Sequence, residues 1–80
     1  WTRYIATEFG NKGIRCNSIS PGAFPKNASK SFKKKLVDCI PLGRLGNASE
    51  IAGCVIFLAS DASSYINGED IKIDGGWTSW

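Results

Sequence analysis

The stretch that most limits how this chain folds is Gly13-Ile14-Arg15-Cys16-Asn17-Ser18-Ile19-Ser20-Pro21-Gly22. It reads as one strand covered on both faces. Ile14, Cys16, Ser18 and Ser20 fall on one side, Arg15, Asn17 and Ile19 on the other, and small or apolar residues occur on both. Pro21 has no N–H to continue a ladder, and Gly22 permits a sharp exit. A loop leaving the carboxyl end of such a strand is where open α/β sheets place their ligands.

The flanking patterns supply the helices and a second strand. Trp1, Ile5 and Phe9 recur at helical spacing with Tyr4 beside them, and Gly10-Asn11 is the expected stop. After an irregular connection, Ser29 to Ile40 carries a short apolar stripe of Phe32, Leu36, Cys39 and Ile40 opposite Lys30, Lys33, Lys34 and Lys35. The Pro41-Leu42-Gly43-Arg44-Leu45-Gly46 loop then leads to Asn47, with Glu50 three residues on, a capping-box start for a helix from Ala48 to about Ala59. That helix is apolar over most of its girth, which predicts cover on more than one side. Asn67-Gly68 marks a turn, and Asp70-Ile71-Lys72-Ile73-Asp74 alternates as a strand ended by Gly75-Gly76. Two strands joined by a long crossover imply parallel pairing, so the fold class is α/β.

Composition excludes several function classes. With 80 residues the chain forms one domain at most and buries only somewhat more than about 60% of its unfolded surface. Trp1 starts inside a helical pattern, with no methionine or signal-like stretch, so the expectation is that further chain precedes it. No apolar run approaches the ~20 residues needed to cross a bilayer, so no membrane partner is expected. The net charge of +3 comes largely from the lysine cluster at positions 30–35, which lacks interleaved aromatics for stacking bases and reads as a solvated face, not a nucleic-acid surface. Without histidine, C-x-x-C or a carboxylate cluster at ligand spacing, no metal site is expected. Cys16, Cys39 and Cys54 each sit among apolar neighbours and read as reduced core thiols, in keeping with a cytoplasmic location. Asn17 reads as a strand residue satisfying loop backbone, and Arg44 as a partner for a neighbouring carboxylate.

Taken together, Ile14-Arg15-Cys16-Asn17-Ser18-Ile19-Ser20-Pro21-Gly22, Ile40-Pro41-Leu42-Gly43-Arg44-Leu45-Gly46, Glu50-Ile51-Ala52, Phe57-Leu58-Ala59-Ser60-Asp61, Ile66-Asn67-Gly68 and Ile73-Asp74-Gly75-Gly76 resemble the C-terminal third of a short-chain dehydrogenase/reductase. The blocks run in order over the whole chain, and the ending Asp74-Gly75-Gly76-Trp77-Thr78-Ser79-Trp80 resembles that of the gluconate 5-dehydrogenase-like and 3-oxoacyl-acyl carrier protein reductase-like branch, as well as less specific relatives. The resemblance implies that residues 1–80 are the C-terminal part of one Rossmann-type domain, holding its last two parallel strands and their crossover helices. It implies NAD or NADP as cofactor, an alcohol or ketone substrate, sugar acids among them, and transfer of a hydride between the two. Of the cofactor-binding residues, it places Pro21, Gly22 and Ala23 in a loop closing over the nicotinamide. The backbone of Phe24 meets the carboxamide, and Lys26 stands where the family often has a threonine that helps hold the cofactor. Residues 25–46 correspond to the family's substrate lid. The helix Ala48–Ala59, the last strand and the tail Trp77-Thr78-Ser79-Trp80 correspond to its homo-oligomer interface, within dimers or tetramers.

The same resemblance assigns no catalytic residue to this chain. The family's acid/base is a tyrosine with a lysine four positions on, and here Tyr4 is followed at that spacing by Glu8 and Tyr65 by Glu69. A carboxylate raises a phenol's pKa where a cation would lower it. Tyr4 reads instead as part of a helix face and Tyr65 as a packing residue. A dehydrogenase-like binding or regulatory protein, or a self-association module built on the apolar helix, is the alternative. The 80-residue chain alone is expected to be inactive and largely unfolded or self-associated, since one edge of the Gly13–Pro21 strand and most of the Ala48–Ala59 helix would be bare. Circular dichroism with sedimentation checks this: a monomer with a sharp unfolding transition would contradict it.

Overall fold

A computed structural model describes residues 1–24 and 27–79. Helix α1 (Thr2–Phe9) leads to strand β1 (Ser18–Pro21), helix α2 (Lys30–Asp38), helix α3 (Ala48–Ala59) and strand β2 (Asp70–Ile73), with single 3-10 turns at Gly10–Lys12, Asp61–Ser63 and Trp77–Ser79. β1 and β2 pair in parallel, Ser18 opposite Asp70 and Pro21 opposite Ile73, and residues 22–69 form the crossover. This is the α/β arrangement that the strand–crossover–strand order predicts.

The first strand is shorter than its sequence pattern. Gly13–Pro21 is extended in composition, yet the ladder begins only at Ser18, because the chain opposite residues 14–17 is the turn before β2. One backbone bond, from Gly68 N to the Cys16 carbonyl (2.8 Å), and several side chains take the place of the ladder there. Cys16 N donates to Asn67 Oδ1 (2.9 Å), Glu69 N donates to Asn17 Oδ1 (3.0 Å), and Asn17 Nδ2 donates to the Ile66 carbonyl (3.0 Å). Asn17 thus satisfies loop backbone as its strand position implied. Asn67 also donates to the Ala6 carbonyl (3.0 Å), tying α1 to the same turn.

Helix ends account for the other boundaries. Gly10 is still right-handed, and α1 continues as a 3-10 turn to Gly13, whose φ of 78° is left-handed; the stop therefore lies three residues beyond the expected Gly10. Ser29 caps α2, accepting from Phe32 N (3.2 Å). That helix ends at Asp38 because Pro41 disfavours helical backbone at Ile40. Ile40 then leaves the expected stripe and becomes one of two buried apolar residues among those described, with Ala6. Phe32 and Cys39 are exposed, and only Leu36 of the stripe stays half-buried on the helix. α3 carries the full capping box.

Arg15 supplies the longest-range link. The last carbonyls of a helix have no partners within it. The Arg15 guanidinium reaches across from the approach to β1 and donates to the carbonyls of Leu58 (3.1 Å), Ser60 (3.5 Å) and Ile66 (3.2 Å) and to Ser63 Oγ (3.2 Å). Ser63, buried, lies within hydrogen-bond distance of the Leu58 and Ser60 carbonyls (3.0 and 3.1 Å). A cation at a helix C-terminus also complements its dipole.

Several expectations of burial are corrected. None of the three cysteines is buried and no disulfide links them, so "core thiol" does not describe them here. Tyr65 is fully exposed instead of packed, and Trp1 and Tyr4 project outward while Thr2, Ile5, Ala6 and Phe9 form the inner side of α1. The apolar helix α3 has no fully buried residue. The accessible surface is 6035 Å² where a folded monomer of this mass, 8.6 kDa, has about 4,700 Å². The radius of gyration is 15.4 Å, against about 12 Å for a compact domain of this length. No helix among the described residues is long and apolar enough to cross a membrane.

Replacing Arg15 with Met keeps the aliphatic stem and removes every one of these donors. The expected result is a loss of about 1.5–3 kcal/mol, the range for hydrogen bonds to a charged group, read as a lower urea midpoint of the full polypeptide carrying this chain.

Candidate functional site

Three segments converge beyond the carboxyl ends of the strands. Gly22 N donates to the Ile73 carbonyl (2.8 Å), carrying the β1–β2 pairing one residue past the proline, and Leu42 N donates to the Gly75 carbonyl (3.1 Å), bringing in the loop at 40–46. The cleft between them is lined by Ala23, Phe24, Arg44, Gly46, Glu50 and Asp74 among others. It has about 40 Å³ of room, enough for roughly three waters at ~10–15 Å³ each.

Missing side chains make this convergence possible. A Cβ on Gly22 would lie 2.7 Å from Asp74 Cβ and 2.8 Å from its Cα. Gly22 does not have a positive φ, so the requirement is room against β2 and not the unusual backbone anticipated from Pro-Gly. A Cβ on Gly46 would run into the Phe24 ring, and one on Gly75, where φ is 65°, would lie 2.6 Å from Ile40 Cγ2. Each glycine accepts a neighbour where a side chain would stand.

The carboxylates around the cleft are held by local donors. Asp74 Oδ1 accepts from Gly76 N (2.9 Å) and Oδ2 from Thr78 Oγ1 (2.7 Å) and Thr78 N (3.2 Å), which folds the chain after β2 into its closing 3-10 turn. The Thr78 hydroxyl is the main cause of an Asp74 pKa below the usual carboxylate range. On the sheet, Asp70 accepts from Ser18 Oγ (2.7 Å) and Ser20 Oγ (2.9 Å), and these hydroxyls lower its pKa in the same way. Arg44, expected to find a neighbouring carboxylate, meets Glu50 six residues on: Nη1 lies 2.8 Å from Oε1 and Nη2 3.1 Å from Oε2. Glu50 Oε1 also accepts from Asn47 N (3.0 Å), completing the capping box.

Of the residues assigned by resemblance, Pro21, Gly22, Ala23 and Phe24 are contiguous at the exit of β1, and Ala23 and Phe24 line the cleft. Lys26 lies outside the described residues. Among the described residues, the N–H groups of Ala23 and Phe24 have no protein acceptor, so the loop presents two backbone donors next to the cleft. Such donors fit the amide oxygen of a nicotinamide. No group of three or more metal-ligating side chains occurs among the described residues. No sequence pattern marks the Gly46–Phe24 and Gly75–Ile40 contacts, or the Asp70 and Asp74 networks. Only Asp74-x-x-x-Thr78, an aspartate ahead of a polar turn, carried a readable signal.

The ion pair has a definite pH signature. Arg44 is the main cause lowering the Glu50 pKa from 4.5 to about 2. A depressed carboxyl contributes stability that is present above its unfolded value and lost as pH falls through the folded one. The shifts on Asp70 and Asp74 act in the same direction. In the full polypeptide carrying this chain, the urea midpoint is therefore expected to fall as pH drops from about 4.5 to about 2, and Glu50→Gln should flatten that acid limb only slightly, because the pair is exposed to solvent; an unchanged pH dependence in the variant would remove Glu50 from it.

Comparison with known proteins agrees with this geometry. A family model described as enoyl-(acyl carrier protein) reductase matches residues 1–78. The 2-dehydro-3-deoxy-D-gluconate 5-dehydrogenase of Escherichia coli (strain K12) is 39% identical over 82 residues, which cover 95% of this chain and 32% of that protein. The crystal structure of a short chain dehydrogenase from Leptospira borgpetersenii with bound NAD+ superposes with a TM-score of 0.91 at 44% identity, over 96% of this chain and 30% of that one. That of a gluconate 5-dehydrogenase from Burkholderia cenocepacia, in complex with NADP and tartrate, gives 0.90 at 34% identity, over 99% of this chain and 33% of that one. The chain thus spans about a third of the length of the relatives it matches. With its parallel strand pair, its glycine-lined exit loop and this extent of similarity, the chain belongs to the short-chain dehydrogenase/reductase family.

Proposed function

We propose that this chain is the C-terminal part of an NAD(P)-dependent oxidoreductase acting between an alcohol and the corresponding ketone. The single observation that carries the reading is the exit of β1, where Gly22 is pressed against Asp74 and where Ala23 and Phe24, whose N–H groups have no protein acceptor among the described residues, line a cleft. In this reading, Phe24 holds the carboxamide through its backbone, Pro21, Gly22 and Ala23 shape the loop over the ring, and Lys26 adds a donor. A bound nicotinamide supplies or accepts the hydride. The Asp74 network keeps β2 fixed behind that loop, and residues 25–46 cover the substrate. NAD and NADP both fit the reading, since relatives are solved with each. Hydroxylated acids of the sugar-acid type are the substrates to test first, because relatives of similar sequence act on them by name.

The chain has no Tyr-x-x-x-Lys, so the reading places the acid/base pair on the polypeptide that these residues complete. It also makes α3, β2 and the tail a surface for pairing with a second copy. Supporting that, Val55, Ile56 and Phe57 on α3 are 49%, 69% and 40% exposed, more apolar surface in one place than solvent favours.

The test is hydride transfer followed as NAD(P)H absorbance in that full polypeptide, with polyols, sugar acids and ketones. Turnover lost when the tyrosine of its Tyr-x-x-x-Lys is changed to Phe is the expected outcome. An intact, folded protein with neither turnover nor dinucleotide binding would leave the binding or self-association reading in its place.

A further inference from the structure

Arg44 and Glu50 form the one ion pair among the described residues. Its two side chains are 53% and 39% exposed, and a pair so exposed to solvent contributes little to stability. Its placement is more informative than its strength. The guanidinium engages both carboxylate oxygens and also donates to the Leu45 carbonyl (3.2 Å), while Glu50 accepts from Asn47 N. Residues 44, 45, 47 and 50 are thereby fixed as one unit at the start of α3. Gly46 lies inside that unit, and its face is filled by the Phe24 ring. Both members of the pair line the same cleft as Phe24.

We propose that the Arg44–Glu50 pair is a positioning clamp for the β1 exit loop, holding Gly46 as the wall against which the Phe24 ring sets the backbone donors of Ala23 and Phe24. The inference rests on the dinucleotide-binding reading above. Neither residue touches the reacting atoms; each acts through Phe24. A fork-to-fork pair suits this because it fixes orientation as well as distance, which a lysine in place of Arg44 would not do. Releasing the clamp lets the ring and the following backbone shift, and displaced positioning groups cost up to about a hundredfold in binding or rate.

The test compares two ligands in the full polypeptide carrying this chain: NAD(P)H, and ADP-ribose or its 2′-phosphate, which lacks the nicotinamide. Glu50→Gln keeps an acceptor for Asn47 N and removes the ion pair, while Arg44→Gln removes it from the other side. Both variants are expected to bind NAD(P)H about tenfold more weakly, well inside the range for displaced positioning groups, with ADP-ribose affinity unchanged and Arg44→Lys intermediate. Combined with Phe24→Ala, the Arg44→Gln effect should largely vanish, since both changes act through one contact. Equal weakening toward both ligands, or none toward either, overturns the clamp while leaving the dehydrogenase reading intact. A wild-type protein that binds neither ligand overturns that reading and the clamp with it.

Discussion

Four residue pairs of parallel ladder hold this chain together, and the position of every group near the cleft depends on them. Parallel pairing is slightly weaker per residue than antiparallel, and two strands do not make a stable sheet alone. Both ends of the ladder are therefore extended by other means. At the amino end, Asn17 and Asn67 add side-chain bonds to the backbone bond from Gly68 N to the Cys16 carbonyl, and Arg15 couples the same segment to the end of α3. At the carboxyl end, the ladder runs on to Gly22 and the chain after β2 is folded back on Asp74. The polar ends fix the register, and the register fixes where the loop after Pro21 emerges.

What emerges there is shaped by absent atoms. Gly22, Gly46 and Gly75 each leave the space that Asp74, Phe24 and Ile40 respectively occupy. Three segments far apart in sequence approach more closely than side-chain-bearing residues would permit. The charged groups nearby are each matched to a local donor, Asp74 to Thr78 and Gly76, Glu50 to Arg44 and Asn47. They hold backbone in place, and among the described residues none of them accepts from the N–H of Ala23 or Phe24.

The apolar face of α3 and the large accessible surface have one physical meaning. This chain carries more apolar helix than its two strands can cover, and among the described apolar residues only Ala6 and Ile40 are buried. A helix of that composition is stable when further surface is laid against it.

Local pattern made much of this legible. Asn47 and Glu50 marked the start of α3, Pro21 the end of β1, and Asn17 its own backbone partners, because capping, a missing N–H and an amide on a strand act within a few residues. The alternation of Asp70–Asp74 and the long crossover determined parallel pairing, since parallel strands need such a connection. Only the tertiary structure decided where the ladder begins, because a strand forms only where a partner lies opposite, and opposite residues 14–17 there is a turn. It alone decided that Ile40 is buried and Phe32 is not, that Arg15 ends on α3, and that Gly22 is needed for room. Each depends on a residue tens of positions away, and no sequence period records the distance between two segments once the chain has folded.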